Sequence, residues 1–414
     1  MHLLYLLAIR LYGLAIRLAA LANPKAAGWV AGRKDWRRRH RELLQGNPRG
    51  AASLLWVHCA SLGEFEQGRP VMEQLKTTHP EWKILLTFFS PSGFEVRKDY
   101  RGADYITYLP LDTPANARDF VAIWQPTAAI FVKYEFWYFF LRELRRVNVP
   151  IILISALFRP GQLFFRWYGT IFRQLPGWFT RIFVQNESSA RQLKEAGFNN
   201  FSIAGDTRVD RVRQIAETAP SFPLAEQFAG TAPVLAIGSS WPEDEVYLLP
   251  FLNEKLPENW KAIIAPHQVD EGHIRQILKN LELPACRYSE GEINQEARVL
   301  VIDNVGMLSG LYQYGRVAYI GGAFGSGLHN TLEPIAFGLP VIFGPRYQKF
   351  EEARYLVHTG GGYSISGKEE LEKRFFELCN EATYRKASQK ARNYIEANSG
   401  ATRKVTAFVE QLMG

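Results

Sequence analysis

From residue 53 onward, short continuous apolar runs alternate with amphipathic stretches, the pattern left by buried parallel strands joined through helices. In the first half the runs are Ser53–His58, Lys83–Phe89, Asp104–Tyr108, Ala128–Val132, Ile151–Ile154, Ile182–Val184 and Ser202–Ala204. A polar passage rich in Pro and Ala, Glu217–Pro233, has the composition of an interdomain linker, expected at 218–233. The pattern restarts with Val234–Ile237, Ala262–Ala265, Arg298–Val301, Val317–Ile320 and Leu339–Phe343, and a helical tail follows from about Lys368. Strand–helix alternation in both halves predicts an α/β protein. It would have two doubly wound, Rossmann-like parallel-sheet domains, residues 23–217 and 234–414, facing each other across a cleft.

The front of the chain follows another rule. Residues 3–22, LLYLLAIRLYGLAIRLAALA, are apolar except for Arg10 and Arg17, which lie seven apart and share one helical face. Two guanidinium groups near the middle make a full membrane span costly. Residues 1–22 therefore read as a membrane-anchoring helix lying in the interface with snorkelling arginines, a single-pass anchor being the alternative. A cleaved signal peptide fits less well, because basic residues follow the apolar run instead of preceding it. Residues 1–49 carry ten Lys/Arg against only Asp35 and Glu42, which accounts for the whole net charge of +8. A basic, apolar front end on a neutral body points to a membrane surface, met through residues 1–41, and away from nucleic acid. The positive-inside tendency leaves the body on the cytoplasmic side. Three widely spaced cysteines, Cys59, Cys286 and Cys379, argue against a disulfide framework or a zinc site.

Candidate chemistry concentrates in Val317–Pro345, VAYIGGAFGSGLHNTLEPIAFGLPVIFGP, which reads as strand, glycine loop, short helix and strand. Glycines 321, 322, 325 and 327 allow tight turning and close approach of a ligand, with plain turn chemistry as the competing reading. Asn330 reads as an N-cap, so a glycine loop at a helix start would present N–H groups to an anion. One turn in, Glu333 would accept hydrogen bonds from two ribose hydroxyls. In the first half, Glu64 follows Gly63 in the loop after strand 53–58, on the sheet edge where open α/β folds bind ligands. On position alone it serves equally well as a partner of the next helix dipole. Ser90, Ser92 and Gly93 either offer donors to a sugar carboxylate or simply cap a helix. Gly238 and Ser239 open one loop of the second half, and Pro266 and His267 another. Arg208 lies near the domain junction, within reach of a phosphate. Residues 158–179 mix arginines and aromatics in a way that suits a phosphorylated, acylated acceptor.

The order G-G…G-x-G-x-H-N-x-x-E-P-x-x-x-G-x-P, with Ala60-Ser61-x-Gly63-Glu64 upstream, resembles the 3-deoxy-manno-octulosonic acid (Kdo) transferases of lipopolysaccharide synthesis, glycosyltransferases of the GT-B fold. The resemblance runs over nearly the whole chain. It implies transfer of Kdo from CMP-Kdo to a lipid A precursor of the lipid IVA type, releasing CMP, at the cytoplasmic face of the inner membrane. It implies that Glu64 is the catalytic base of an inverting reaction. Gly322, Gly327 and Asn330 would neutralise the leaving phosphate, Gly238, Ser239, Pro266 and His267 would complete the donor site, and Glu333 would hold the ribose. Ser90, Ser92, Gly93, Glu135 and Arg208 fall on the acceptor side. Glu135 and Trp137 match the family's Glu-x-Glu-x-Trp, with Lys133 in place of its first acid, and Gln268 rather than an arginine follows Pro266-His267. No Asp-x-Asp pair stands at a strand end and the leaving group carries one phosphate, so neither metal nor cofactor is expected. The alternatives are another GT-B enzyme on a nucleotide sugar, such as an N-acetylglucosaminyltransferase or an epimerase, and a non-catalytic membrane-surface binding protein.

Overall fold

Each apolar run becomes a parallel strand. The computed structural model describes residues 2–159, 161–162, 170–325 and 327–414. The aromatic and arginine mixture expected over 158–179 therefore falls partly outside the described residues. The first sheet comprises β1 Leu54–Cys59, β2 Lys83–Phe88, β3 Tyr105–Tyr108, β4 Ala128–Val132, β5 Ile151–Ala156, β6 Arg181–Val184 and β7 Phe201–Ile203, in the order β3-β2-β1-β4-β5-β6-β7. The second comprises β8 Val234–Ser240, β9 Lys261–Pro266, β10 Ala285–Arg287, β11 Val299–Val301, β12 Val317–Ile320, β13 Val341–Phe343 and β14 Gly362–Ser364, in the order β10-β11-β9-β8-β12-β13-β14. β10, Ala-Cys-Arg, and β14, Gly-Tyr-Ser, are short edge strands whose residues leave no apolar run.

Central strands are apolar on both sides because helices cover both faces of the sheet. In β1, Leu54 and Trp56 pack with Phe120, Phe131 and Phe140 on one face, while Leu55, Val57 and Cys59 pack with Phe65 and Leu86 on the other. Truncating one of these buried aromatics to alanine costs about 3–5 kcal/mol.

The chain divides into two units, residues 1–210 with 400–414, and residues 211–399. Two expectations change. Residues 218–233 are not all linker: Pro223–Ala229 is a helix that starts on its proline and buries Ala225 and Phe228 in the second unit's core. The helical tail also divides. Lys368–Cys379 and Glu381–Asn398 stay with the second unit, whereas Ala401–Met413 belongs to the first, where Val405 and Val409 join the core. Gly400, at φ 100°, makes the break, and Asp210 accepts from the Thr402 N–H at 2.6 Å.

Three helices precede β1: α1 His2–Ala19, α2 Pro24–Arg33 and α3 Trp36–Gly46. By length and composition α1 could cross a membrane, yet one of its faces is docked. The Tyr5 hydroxyl donates to Asp112 at 2.6 Å, and Tyr12 stacks on Phe89. Gly13 is buried so closely that a Cβ there would meet Leu111 at 2.8 Å. Leu3, Leu4, Leu7, Leu11, Leu14 and Leu18 are exposed. The basic segment splits by helical face, which corrects the expectation that all of it meets headgroups. Arg33 donates to the carbonyls of Phe89, Leu109 and Trp29, Arg37 pairs with Asp119 at 2.7 Å, Arg39 donates to the Gly32 carbonyl, and His40 is buried between Thr107 and Trp124. Lys34, Arg38 and Arg41 remain exposed.

Candidate active site

In the first sheet, successive connections run outward in one direction from β1 and in the other from β4, so the loops after these two strands flank a switch point. The helix after β1, α4, spans Leu62–Thr78 and starts earlier than expected, which puts Glu64 inside its first turn and not in a loop. Ser61 is the N-cap: its hydroxyl accepts from the Gly63 N–H at 3.3 Å and donates to the Glu64 carboxylate. Glu64 is partly exposed.

The Ser90 N–H donates to the Ala60 carbonyl at 2.7 Å, tying the second loop to the first. Ser90 caps the helix Pro91–Arg97, accepting from the Ser92 N–H, and the two hydroxyls lie 2.9 Å apart. Gly93 is a packing residue. Its N–H is bonded to the Ser90 carbonyl, and a Cβ would meet the Phe88 ring at 2.5 Å and the Ser61 backbone at 3.1 Å. The expected backbone donor at Gly93 is thus already committed.

After β4, Glu135 accepts from Trp137 Nε1 at 2.6 Å and lies 3.4 Å from His58 Nε2. His58 is fully buried, with Nδ1 2.8 Å from the Thr87 hydroxyl, which in turn accepts from Trp56 Nε1. This chain of contacts fixes the Glu135 carboxylate. Beside it opens a cavity of about 600 Å³ walled by Tyr134, Phe136, Trp137, Phe172 and, from α1, Tyr5 and Ile9. Phe139 and Phe140 are core. Burial pushes the Cys59 thiol, at the end of β1, well up, and the charges of Glu64, Glu135 and Glu66 add to the effect. Arg208 departs from expectation. Its Nε and Nη2 both bond Asp206, at 2.9 and 2.7 Å. Burial works against the charge on Asp206, but Arg208 outweighs it and holds the carboxyl below its usual range. Arg208 is therefore a structural pair, not an open phosphate donor.

The second sheet has its switch point between β8 and β12. A cavity of about 340 Å³ lies there, lined by Ser239, His267, Tyr312, His329, Asn330 and Glu333, with Gly306 from the loop after β11 and Leu308 and Ser309 from the short helix Leu308–Leu311 that follows it. Asn330 Nδ2 donates to Glu333 at 3.0 Å, and Asn330 Oδ1 accepts from the Leu332 N–H at 3.1 Å. The N-cap position belongs to Thr331, and the helix Leu332–Ala336 has only five residues, so its dipole adds little. Gly238 is required by Tyr312, whose hydroxyl would stand 2.0 Å from a Cβ. Burial, and then the charge of Glu333, push the Tyr312 phenol far up, so it stays protonated. Ser239 holds a left-handed φ of 53° against the Gly321 backbone.

Pro266 ends β9, and the His267 N–H donates to the Ser240 carbonyl at 2.9 Å. The His267 ring stacks across both Trp241 and His329, at 4.4 and 4.5 Å, while Trp241 Nε1 donates to His329 Nε2 at 2.7 Å. Burial holds His329 down at about 4 and His267 below its usual value. Both rings are uncharged near neutrality.

The glycine loop is a correction. Gly322, at φ 92°, donates its N–H to Asp244 at 2.8 Å, and Gly327, at φ 127°, donates to the Gly322 carbonyl at 2.9 Å. A Cβ on Gly322 would meet the Gly327 carbonyl oxygen at 2.3 Å. These glycines close the loop on itself and do not present N–H groups to an anion. Asp244, Trp241, Tyr312 and His329 escaped the sequence reading as site residues. Asp244 lies in an acidic run, Glu243-Asp244-Glu245, and its partner Gly322 is 78 residues away. Among the described residues, no group of three or more His, Cys, Asp or Glu is arranged to hold a metal ion.

Residues 34–211 match the family model described as 3-Deoxy-D-manno-octulosonic-acid transferase (kdotransferase). A 3-deoxy-D-manno-octulosonic acid transferase of Aquifex aeolicus is 30% identical over 342 residues, covering 82% of this chain and 89% of that protein. Among solved structures, a putative UDP-N-acetylglucosamine 2-epimerase from Listeria monocytogenes is similar at a TM-score of 0.56 and 14% identity, covering 87% of this chain and 96% of that one. A calicheamicin glycosyltransferase is similar at a TM-score of 0.54 and 12% identity, covering 88% and 99%. At such identities the two structures speak for the fold alone, two parallel-sheet α/β domains of GT-B type.

Proposed function

This chain belongs to the 3-deoxy-D-manno-octulosonic acid (Kdo) transferase family, glycosyltransferases of lipopolysaccharide biosynthesis, and from that premise we propose that it moves Kdo from CMP-Kdo to a lipid A precursor of the lipid IVA type. In this reading Glu64 takes the proton of the acceptor hydroxyl as its oxygen attacks the anomeric carbon. The bond to the CMP phosphate breaks with its electron pair leaving on CMP, and the configuration inverts. The second unit holds the nucleotide. Glu333, already oriented by Asn330, takes the ribose hydroxyls. Ser239, Asn330 and His267 offer side-chain donors to the phosphate, a role their shared cavity supports better than the self-bonded glycine loop does.

On the acceptor side, the cavity beside Glu135 takes the lipid. Its aromatic walls suit acyl chains, and the participation of Tyr5 and Ile9 suits a substrate delivered along α1. The docked face and exposed leucines of α1 support an interfacial helix on the cytoplasmic face of the inner membrane. One observation carries the proposal. Glu64 and Glu135 follow the two strands of the first sheet's switch point, and a lipid-compatible cavity opens at one of them.

The test is CMP release from CMP-Kdo in the presence of a tetraacyl lipid A precursor, comparing wild type with Glu64→Ala. Acceptor-dependent release that collapses in the variant, with CMP binding retained, is the expected result. Turnover of a UDP-sugar with none of CMP-Kdo would overturn the donor assignment.

A further inference from the structure

A cavity of about 1000 Å³ lies between α1 and the α2–α3 pair, and the proposed chemistry uses none of it. Its rim is cationic. Arg10 and Arg17 come from one face of α1, Lys34 from the turn after α2, and Arg38 and Arg41 from one face of α3. All five are exposed. Arg10, Arg17, Lys34 and Arg41 have no ion-pair partner among the described residues, and Arg38 has only the exposed Glu42 at 3.6 Å. Asp35 is the one acidic residue on the described wall. Concentrating uncompensated guanidinium groups around a concavity focuses a positive field there.

The floor is different. Trp29, Trp36 and Leu111 make it apolar. Trp29 is buried, and its indole N–H has no acceptor among the described residues. Arg33, also on the wall, bonds three carbonyls but no carboxylate, so its charge too is uncompensated. The exposed apolar stripe of α1, Leu7, Leu14 and Leu18 among its members, borders the face that carries Arg10 and Arg17.

A cationic rim over an apolar floor, beside an exposed apolar stripe, fits an amphiphile with an anionic head. Guanidinium groups match phosphate in geometry as well as charge. We propose that this groove binds one anionic phospholipid of the bilayer, with the phosphate in the arginine rim and the glycerol end of an acyl chain on the Trp29–Leu111 floor. The groove would then be a lipid site separate from the acceptor cavity at Glu135. The inference rests on the reading of α1 as an interfacial helix.

The experiment uses the full chain in neutral detergent, titrated with short-chain phosphatidylglycerol and, separately, phosphatidylcholine. Sedimentation with pure phosphatidylcholine vesicles is measured in parallel. We expect phosphatidylglycerol to saturate at one equivalent and to bind at least about tenfold more tightly than phosphatidylcholine. Arg17→Gln and Arg41→Gln, on two different helices, should each weaken it by a similar factor while vesicle sedimentation and CMP release stay unchanged. Equal binding of the two phospholipids, or indifference to both substitutions, would overturn the proposal. Equally tight binding of glycerol phosphate would instead mark a soluble-anion site. Displacement of phosphatidylglycerol by the tetraacyl precursor at one equivalent would give the groove to the acceptor. Loss of sedimentation with neutral vesicles by the unmodified chain would count against the interfacial helix itself, which separates that failure from the others.

Discussion

Each sheet reverses direction beside its first strand, β1 or β8, yet the two switch points are furnished with opposite chemistry. In the first unit, Glu64 and Glu135 place negative charge at the carboxyl edge of β1 and β4, close enough to act on one buried thiol. In the second, the described wall of the cavity at the corresponding edge carries two uncharged imidazoles, an amide, two serine hydroxyls and a protonated phenol, with Glu333, bonded to Asn330, as its carboxylate. The contrast follows from what each half would handle. Proton removal needs a carboxylate, whereas a departing phosphate is repelled by one.

Conservative substitutions at the two edges should separate these roles most sharply. Glu64→Gln keeps the shape and a hydrogen bond to Ser61, and should lower acceptor-dependent CMP release by about 10²–10⁴-fold with CMP affinity unchanged by calorimetry. Glu333→Gln should do the reverse. It should weaken CMP by about 10–100-fold and erase the preference for CMP over 2′-deoxy-CMP, because the ribose contact is charge-assisted. If Glu64→Gln lost CMP binding as well, the division of labour would fail.

Steric closure of the second edge gives the next test. Gly238→Ala should destabilise the protein by about 1–3 kcal/mol through the clash with Tyr312, read by urea unfolding, and Tyr312→Phe in the same chain should recover part of it.

A third expectation concerns pH. Burial holds His40 down at about 3, against an unfolded value near 6.5. Its contribution is intact above the unfolded value and drains as pH falls, because the unfolded chain binds the proton first. By pH 5 the loss should be about 2 kcal/mol. His40→Gln should remove it, so the gap in melting temperature between wild type and variant should narrow on acidification.

The smallest effect is expected at Arg208. Since its guanidinium is committed to Asp206, Arg208→Lys should leave the KM for either substrate within about twofold and appear only as a modest stability loss.

Much of the fold was legible because a strand buried on both faces must be apolar throughout. Apolar runs such as Ala128–Val132 announce themselves, whereas the edge strands β10, Ala-Cys-Arg, and β14, Gly-Tyr-Ser, do not. Site residues whose partners are near in sequence were legible for a similar reason. Asn330 and Glu333, three apart at a helix start, could be read as a pair, although the cap belongs to Thr331. What could not be read was which polar groups would already be satisfied. The N–H of Gly322 is claimed by Asp244, and Arg33 by carbonyls 56 and 76 residues away. The last helix leaves its neighbours to join the first unit.

Pattern and spacing along the chain determined the two-sheet α/β architecture, the carboxylates on one edge and the Asn330–Glu333 pairing distance on the other. Tertiary structure alone decided which donors and charges remain unclaimed. A hydrogen bond depends on which groups meet in space, and periodicity records only which residues turn away from water.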